Sequence, residues 1–163
     1  LRSMCGIMED THRRRHEIAR PAAIDIHELL PQREPFIMVD RLTFFDEQRT
    51  STRFVVRADN LFVEDGVMDA CALAEDMAQT CAARLGYVNK YILKREIQVG
   101  FIGAVKNMVV TACPRVGDVL ETTIEVIEQV LDLTLVKATV CSGSQTLATA
   151  EMKIALANEI EEA

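Results

Sequence analysis

The sequence predicts an α+β fold, one curved antiparallel sheet wrapped around one buried helix. Three observations carry that expectation. A helical period of small and apolar residues occupies 70–84, period-2 alternation fills most of 97–154, and no strand–helix–strand repeat competes with either. Residues 1–23 show no period and carry Arg13-Arg14-Arg15 between His12 and His16, so they read as a basic leader. Ile24-Asp25-Ile26-His27-Glu28-Leu29-Leu30 predicts a short helical turn. Asp25 caps it, and it ends before Pro31 because the residue preceding a proline is pushed out of helical backbone. Pro31 and Pro35 keep the next stretch irregular, and 36–41 is expected to begin a strand. Alternation continues at 53–57, where Phe54 and Val56 point away from Arg53, Val55 and Arg57. Residues 60–66 read as a loop with Asp65-Gly66 as its turn.

Asp69 is placed to cap a helix over 70–84, and Gly86 is placed to stop it. Leu73, Met77, Cys81 and Leu85 recur at i, i+4 beside a second stripe of Ala74, Ala78 and Ala82. Small residues on several faces suit a helix that other backbone approaches closely, which puts it at the centre of the fold. Strands are then expected over 97–103, 120–126, 133–141 and 148–154, with turns at Val116-Gly117-Asp118 and Ser142-Gly143-Ser144. Residues 24–157 thus make one domain, followed by an acidic tail, 158–163.

Bulk composition narrows the function classes. At 163 residues, 49% hydrophobic and 26% charged, the chain has the make-up of one globular domain. A net charge of -7 argues against nucleic acid as a partner, because phosphate binding concentrates Lys and Arg. No apolar run approaches the roughly 18 to 20 residues needed to span a bilayer, so no membrane insertion is expected. Cys5, Cys71, Cys81, Cys113 and Cys141 are odd in number and lack C-x-x-C spacing. That argues against a disulfide framework and a zinc site, and fits a reducing cytoplasm. No metal or redox cofactor is implied.

Three segments in register resemble the bacterial 3-hydroxyacyl-[acyl-carrier-protein] dehydratases, which have the hotdog fold. Leu29-Leu30-Pro31-Gln32-Arg33-Glu34-Pro35-Phe36-Ile37-Met38-Val39-Asp40-Arg41 is similar to that family's opening Leu-Leu-Pro-His-Arg-x-Pro-Phe-x-x-Val-Asp-Arg. Ala74-Glu75-Asp76-Met77-Ala78-Gln79 is similar to the Glu-x-Met-Ala-Gln segment of its central helix. Val105-Lys106-Asn107, followed by Val116-Gly117-Asp118-Val119-Leu120, matches the strand and Gly-Asp turn after that helix. The resemblance implies a hotdog domain that takes an acyl-carrier-protein or coenzyme A thioester and pairs with itself or with a related hotdog subunit.

The departures concern the chemistry. The family carries a catalytic His in a Gly-His-Phe-Pro-Gly loop before the helix. Here Asn60 leads into Leu61-Phe62-Val63-Glu64-Asp65-Gly66-Val67-Met68-Asp69, which is shorter and has no His. The opening-motif His is Gln32, and His12, His16 and His27 all precede the first strand. The short loop is similar to a divergent branch of predicted dehydratases associated with aryl-polyene and related pigment pathways.

Dehydrating a 3-hydroxyacyl thioester needs a base for the proton beside the carbonyl, an acid for the departing hydroxyl and an amide donor for the thioester oxygen. Glu75, a carboxylate on a mostly apolar helix, is the expected catalytic residue. Gln79, one turn on and on the same face, is placed to orient it. Asp69 caps the helix, and the amides of Ala70 and Cys71 are candidates to hold a carbonyl oxygen. Asp65 and Glu64 occupy the loop where the His is missing; turn and solvent roles compete with a substitute base. Cys71 and Cys81 raise a nucleophile role, against which stands the absence of any nearby His. Three readings follow: a dehydratase subunit whose partner supplies the His, a hotdog thioesterase in which Glu75 activates water, and a non-catalytic acyl-thioester-binding subunit.

Overall fold

The computed structural model describes residues 20–94 and 100–156. Most of the basic leader, the acidic tail and the first residues of the strand expected from 97 lie outside the described residues, as do Cys5, His12 and His16. Two single 3-10 turns, Pro21–Ala23 and Ile26–Glu28, open the described chain. They are followed by β1 (Arg41–Phe45), β2 (Arg49–Val55), β3 (Val63–Glu64) and β4 (Val67–Met68). The long helix α1 (Ala70–Tyr87) continues into a π turn, Val88–Ile92. Then come β5 (Gly100–Val110), β6 (Val119–Val130), β7 (Leu133–Ser142) and β8 (Gln145–Leu156). Six strands form one antiparallel sheet in the order β1-β2-β6-β7-β8-β5, and β3 and β4 make a separate two-stranded ribbon. The α+β expectation holds: this is the hotdog arrangement, a sheet curved round one helix.

The helix is covered from two sides, which explains its unusual pattern. Leu73, Met77 and Cys81 pack with Phe54, Leu120, Ile124, Val136 and Met152 of the sheet and with Val56 just beyond β2. Burying each large apolar side chain in this layer contributes roughly 1.5 to 3 kcal/mol. On the other side, Ala83 and Tyr87 pack beneath Ile24, Ile26, Leu29, Leu30, Val39 and Leu42. A helix buried on two faces needs small residues where backbone comes close, and the alanines supply them.

Several boundaries differ from expectation, each for a physical reason. No strand forms over 36–40; β1 begins only at Arg41, because the main chain at 36 and 38 bonds to the helix rather than to a neighbouring strand. This stretch is called the strap below. β2 begins at Arg49, earlier than the apolar alternation marks, because its inward residues there are the buried Thr50 and Thr52. Gly86 does not end the helix. It lies inside α1, where an added Cβ would sit 2.3 Å from the Leu29 carbonyl oxygen, so it is glycine to admit that backbone. Asp65-Gly66 is the expected turn, with both residues at positive φ (52° and 77°) joining β3 to β4.

Candidate functional site

The helix carries two polar pairs at i, i+4 spacing, and they face different neighbours. Glu75 and Gln79 face the strap, whereas Asp76 and Thr80 face the sheet. Gln79 has no solvent exposure. Its Oε1 accepts the Met38 N–H at 2.6 Å, and its Nε2 donates to the Phe36 carbonyl at 2.8 Å and to Glu75 Oε1 at 2.9 Å. A main-chain N–H can only donate and a carbonyl can only accept, so the amide has one allowed orientation. The end that meets Glu75 is therefore always a donor. Glu75 is half-buried, with Oε1 held in this way and Oε2 outside the network. The expected positioning of Glu75 by Gln79 is present as geometry, and the strap supplies the anchor that the sequence left unnamed.

The loop candidates gather elsewhere, at the N-terminal end of α1. Glu64, Asp65, Asp69, Ala70, Cys71 and Cys113 line an open hollow of about 720 Å³, in which neither Glu75 nor Gln79 takes part. Asp69 caps the helix as expected, its carboxylate accepting the Cys71 N–H at 2.8 Å. That bond holds the Asp69 carboxyl below the usual range and occupies one of the two amides proposed for a carbonyl oxygen. The amide of Ala70 remains the candidate. Asp65, in the turn, and Glu64, at the end of β3, are both exposed.

Neither helix cysteine is prepared as a nucleophile. The Asp69 carboxylate raises the pKa of the exposed Cys71 thiol, and burial pushes Cys81 up to about 12. His27, the one histidine among the described residues, is committed as well. Its ring nitrogens meet Asp25 Oδ1 at 2.6 Å and Glu34 Oε1 at 2.5 Å, and these two carboxylates raise its pKa. Gln32, standing where the resemblance places a histidine, lines a crevice of about 160 Å³ together with Ala78, Ala82 and Leu85. Those three helix residues continue the Glu75 face toward the C-terminal end of α1. The described residues thus offer one oriented carboxylate and, further along the helix, an apolar crevice that Glu75 itself does not line.

The family model described as ApeP dehydratase matches residues 24–163. The chain belongs to the ApeP-like dehydratase family. Among solved structures, an ApeP-like chain of this kind is similar to a chain of the dehydratase heterocomplex ApeI:P from Xenorhabdus doucetiae. The two share 17% identity and a TM-score of 0.78, over 85% of this chain and 94% of that one. It is also similar to a protein from Streptococcus mutans UA159 bound to acetyl CoA, with 15% identity, a TM-score of 0.60, and coverage of 79% and 96%. A hypothetical thioesterase with coenzyme A from Streptococcus pneumoniae TIGR4 shares 9% identity and a TM-score of 0.58, over 72% and 84%. At these identities the likeness is one of fold. No curated protein matches the chain. Among the described residues no helix is long and apolar enough to cross a membrane.

Proposed function

We propose that this chain is one subunit of a dehydratase acting on 3-hydroxyacyl thioesters of an acyl carrier protein or coenzyme A. A related hotdog subunit supplies the histidine that this chain lacks. The observation that carries the reading is the Glu75–Gln79–strap network, a carboxylate held on the central helix by an amide that cannot turn round. In the reaction the partner histidine takes the proton beside the thioester carbonyl. Glu75 Oε2 delivers a proton to the 3-hydroxyl, the C–O bond breaks, and water leaves as the enoyl double bond forms. On this reading the Ala70 amide at the helix N-terminus holds the carbonyl oxygen and the thioester enters through the hollow that Asp65, Asp69 and Cys71 line; the shared lining of that hollow supports it. The crevice along Ala78, Ala82 and Leu85 suits the acyl chain.

Strand β5 supports a second subunit. It is an edge of the sheet, bonded only to β8, and it exposes Phe101, Ile102, Val105 and Val109. An open apolar edge is a liability that a pairing strand removes. The likeness to a chain of a dehydratase heterocomplex supports the same reading. Exposed free thiols at Cys71 and Cys113 suit a reducing cytoplasm.

The test is an assay with a 3-hydroxyacyl thioester that follows both the enoyl product and free thiol. The chain is used alone, then mixed with a histidine-bearing hotdog subunit from the same organism. Enoyl product from the mixture, and none from either subunit alone, is expected. Thiol release by the chain alone would replace this reading with the thioesterase one. Acyl binding without either product would leave a binding subunit.

A further inference from the structure

Among the described residues Asp76 is the one acidic side chain buried in the layer between α1 and the sheet, and the reaction proposed above does not use it. It is 1% exposed and sits one residue after Glu75 on the opposite-facing polar pair. Thr80 Oγ1 donates to the Asp76 main-chain oxygen at 2.8 Å and lies 3.3 Å from its Oδ1, and Thr52 Oγ1 meets Thr80 Oγ1 at 2.7 Å. The inward side chains of β2 and β6 around this point are Thr50, Thr52, Phe54, Leu120, Thr122 and Ile124, none of them charged. The one ionisable group that bears on Asp76 is Asp40 from the end of the strap, an acid already held by Arg57 at 3.1 Å and by the Val55 N–H at 2.8 Å. Among the described residues no cation compensates Asp76.

Two polar atoms are left over in this layer, Asp76 Oδ2 and Thr122 Oγ1, and they belong to side chains that lie against each other. A carboxylate facing a hydroxyl, with no cation and no N–H, is a costly state in an apolar interior. A Thr122 hydroxyl donating to an ionised Oδ2 would pair the two atoms but leave the buried charge uncompensated, whereas a proton on Oδ2 donated to Thr122 Oγ1 pairs them and removes the charge.

We propose that Asp76 is carried as the neutral acid and donates its proton to Thr122 Oγ1, forming a proton-dependent latch between α1 and β6. Burial raises the acid from its ordinary value to about 7, against the opposing pull of the Thr122 and Thr80 hydroxyls. The latch holds the sheet side of the helix while Gln79 holds the strap side. Together the two pairs fix the rotation of α1 and the direction in which Glu75 points. The proposal is independent of the reaction and of any partner subunit.

Its sign follows from linkage. A group whose folded value is raised binds its proton more tightly in the native state, so its stabilising effect is complete below the unfolded value of 3.8 and is lost as pH rises through about 7. Asp76→Asn keeps an acceptor toward Thr80 and a donor toward Thr122 but cannot ionise. The experiment measures folding equilibrium constants of the wild type and Asp76→Asn from pH 5 to 8. The ratio of variant to wild type is expected to rise by up to about tenfold per pH unit and to flatten above pH 7. A flat ratio over the whole range would overturn the latch. Should the variant fail to fold, infrared spectra of the wild type and Thr122→Val decide. A protonated-carboxyl band at pH 6 that shifts in Thr122→Val is expected, and no such band in the wild type would overturn the proposal.

Discussion

Gln79 holds three partners from a position without solvent, so removing its amide strands two main-chain groups as well as Glu75. Each buried main-chain group left without a partner costs about 1 to 3 kcal/mol. Only the Met38 N–H of the two is buried, Phe36 being exposed, so Gln79→Leu is expected to lose about 1 to 3 kcal/mol in urea denaturation. It should also lower turnover of the assembled enzyme more than it changes KM. His27 gives a second prediction at this scale. Its imidazole is raised first by Asp25 and then by Glu34, so its NMR titration midpoint should lie above that of a free histidine and fall in Asp25→Asn. The sign is that of a raised base: the tie it makes to 25 and 34 is complete below the unfolded histidine value and is lost as pH rises through the folded one.

At the scale of the elements, Gly86 separates two readings of one residue. As a left-handed helix stop it would lose about 1 kcal/mol on exchange for alanine, whereas an interior helical glycine with open space around it would gain about that much. Its added Cβ, however, would fall 2.3 Å from a main-chain oxygen that cannot swing aside. Gly86→Ala is expected to destabilise the fold by about 1 to 3 kcal/mol in thermal unfolding, as overpacking does. The same residue marks the limit of what sequence makes legible. Periodicity located α1 by its small and apolar stripes and β6, β7 and β8 by the regular face that each buries, whereas β5 alternates in sequence but stays largely exposed. Periodicity could not tell a glycine needed for backbone approach from one needed for a left-handed cap. The strap escaped for a related reason: 36–40 is apolar enough to pass for a strand, but its hydrogen bonds go to a side chain 41 to 43 residues away. Glu75 and Gln79 were legible from their spacing and motif. Asp76 was not, since its meaning depends on an uncharged sheet surface that only the fold assembles.

The whole molecule presents a site that is half built and an edge that is half paired. Glu75 is held in one orientation by Gln79, and an apolar crevice lies further along the same helix, while the other described candidates for proton transfer are exposed loop and ribbon acids or a histidine held by two carboxylates. β5 leaves its outer edge open, with Val109 among its exposed apolar residues. If a hotdog partner completes both, Val109→Lys should abolish association with that partner in light scattering while leaving the circular dichroism of the free chain unchanged. The most direct measurement of the central claim is single-turnover dehydration by the complex of Glu75→Gln with an unaltered histidine-bearing partner. Loss of enoyl formation by about 100-fold or more, with complex formation retained, is the predicted result for removal of a proton-transfer group. Undiminished dehydration by that complex would contradict it and move the chemistry off this chain.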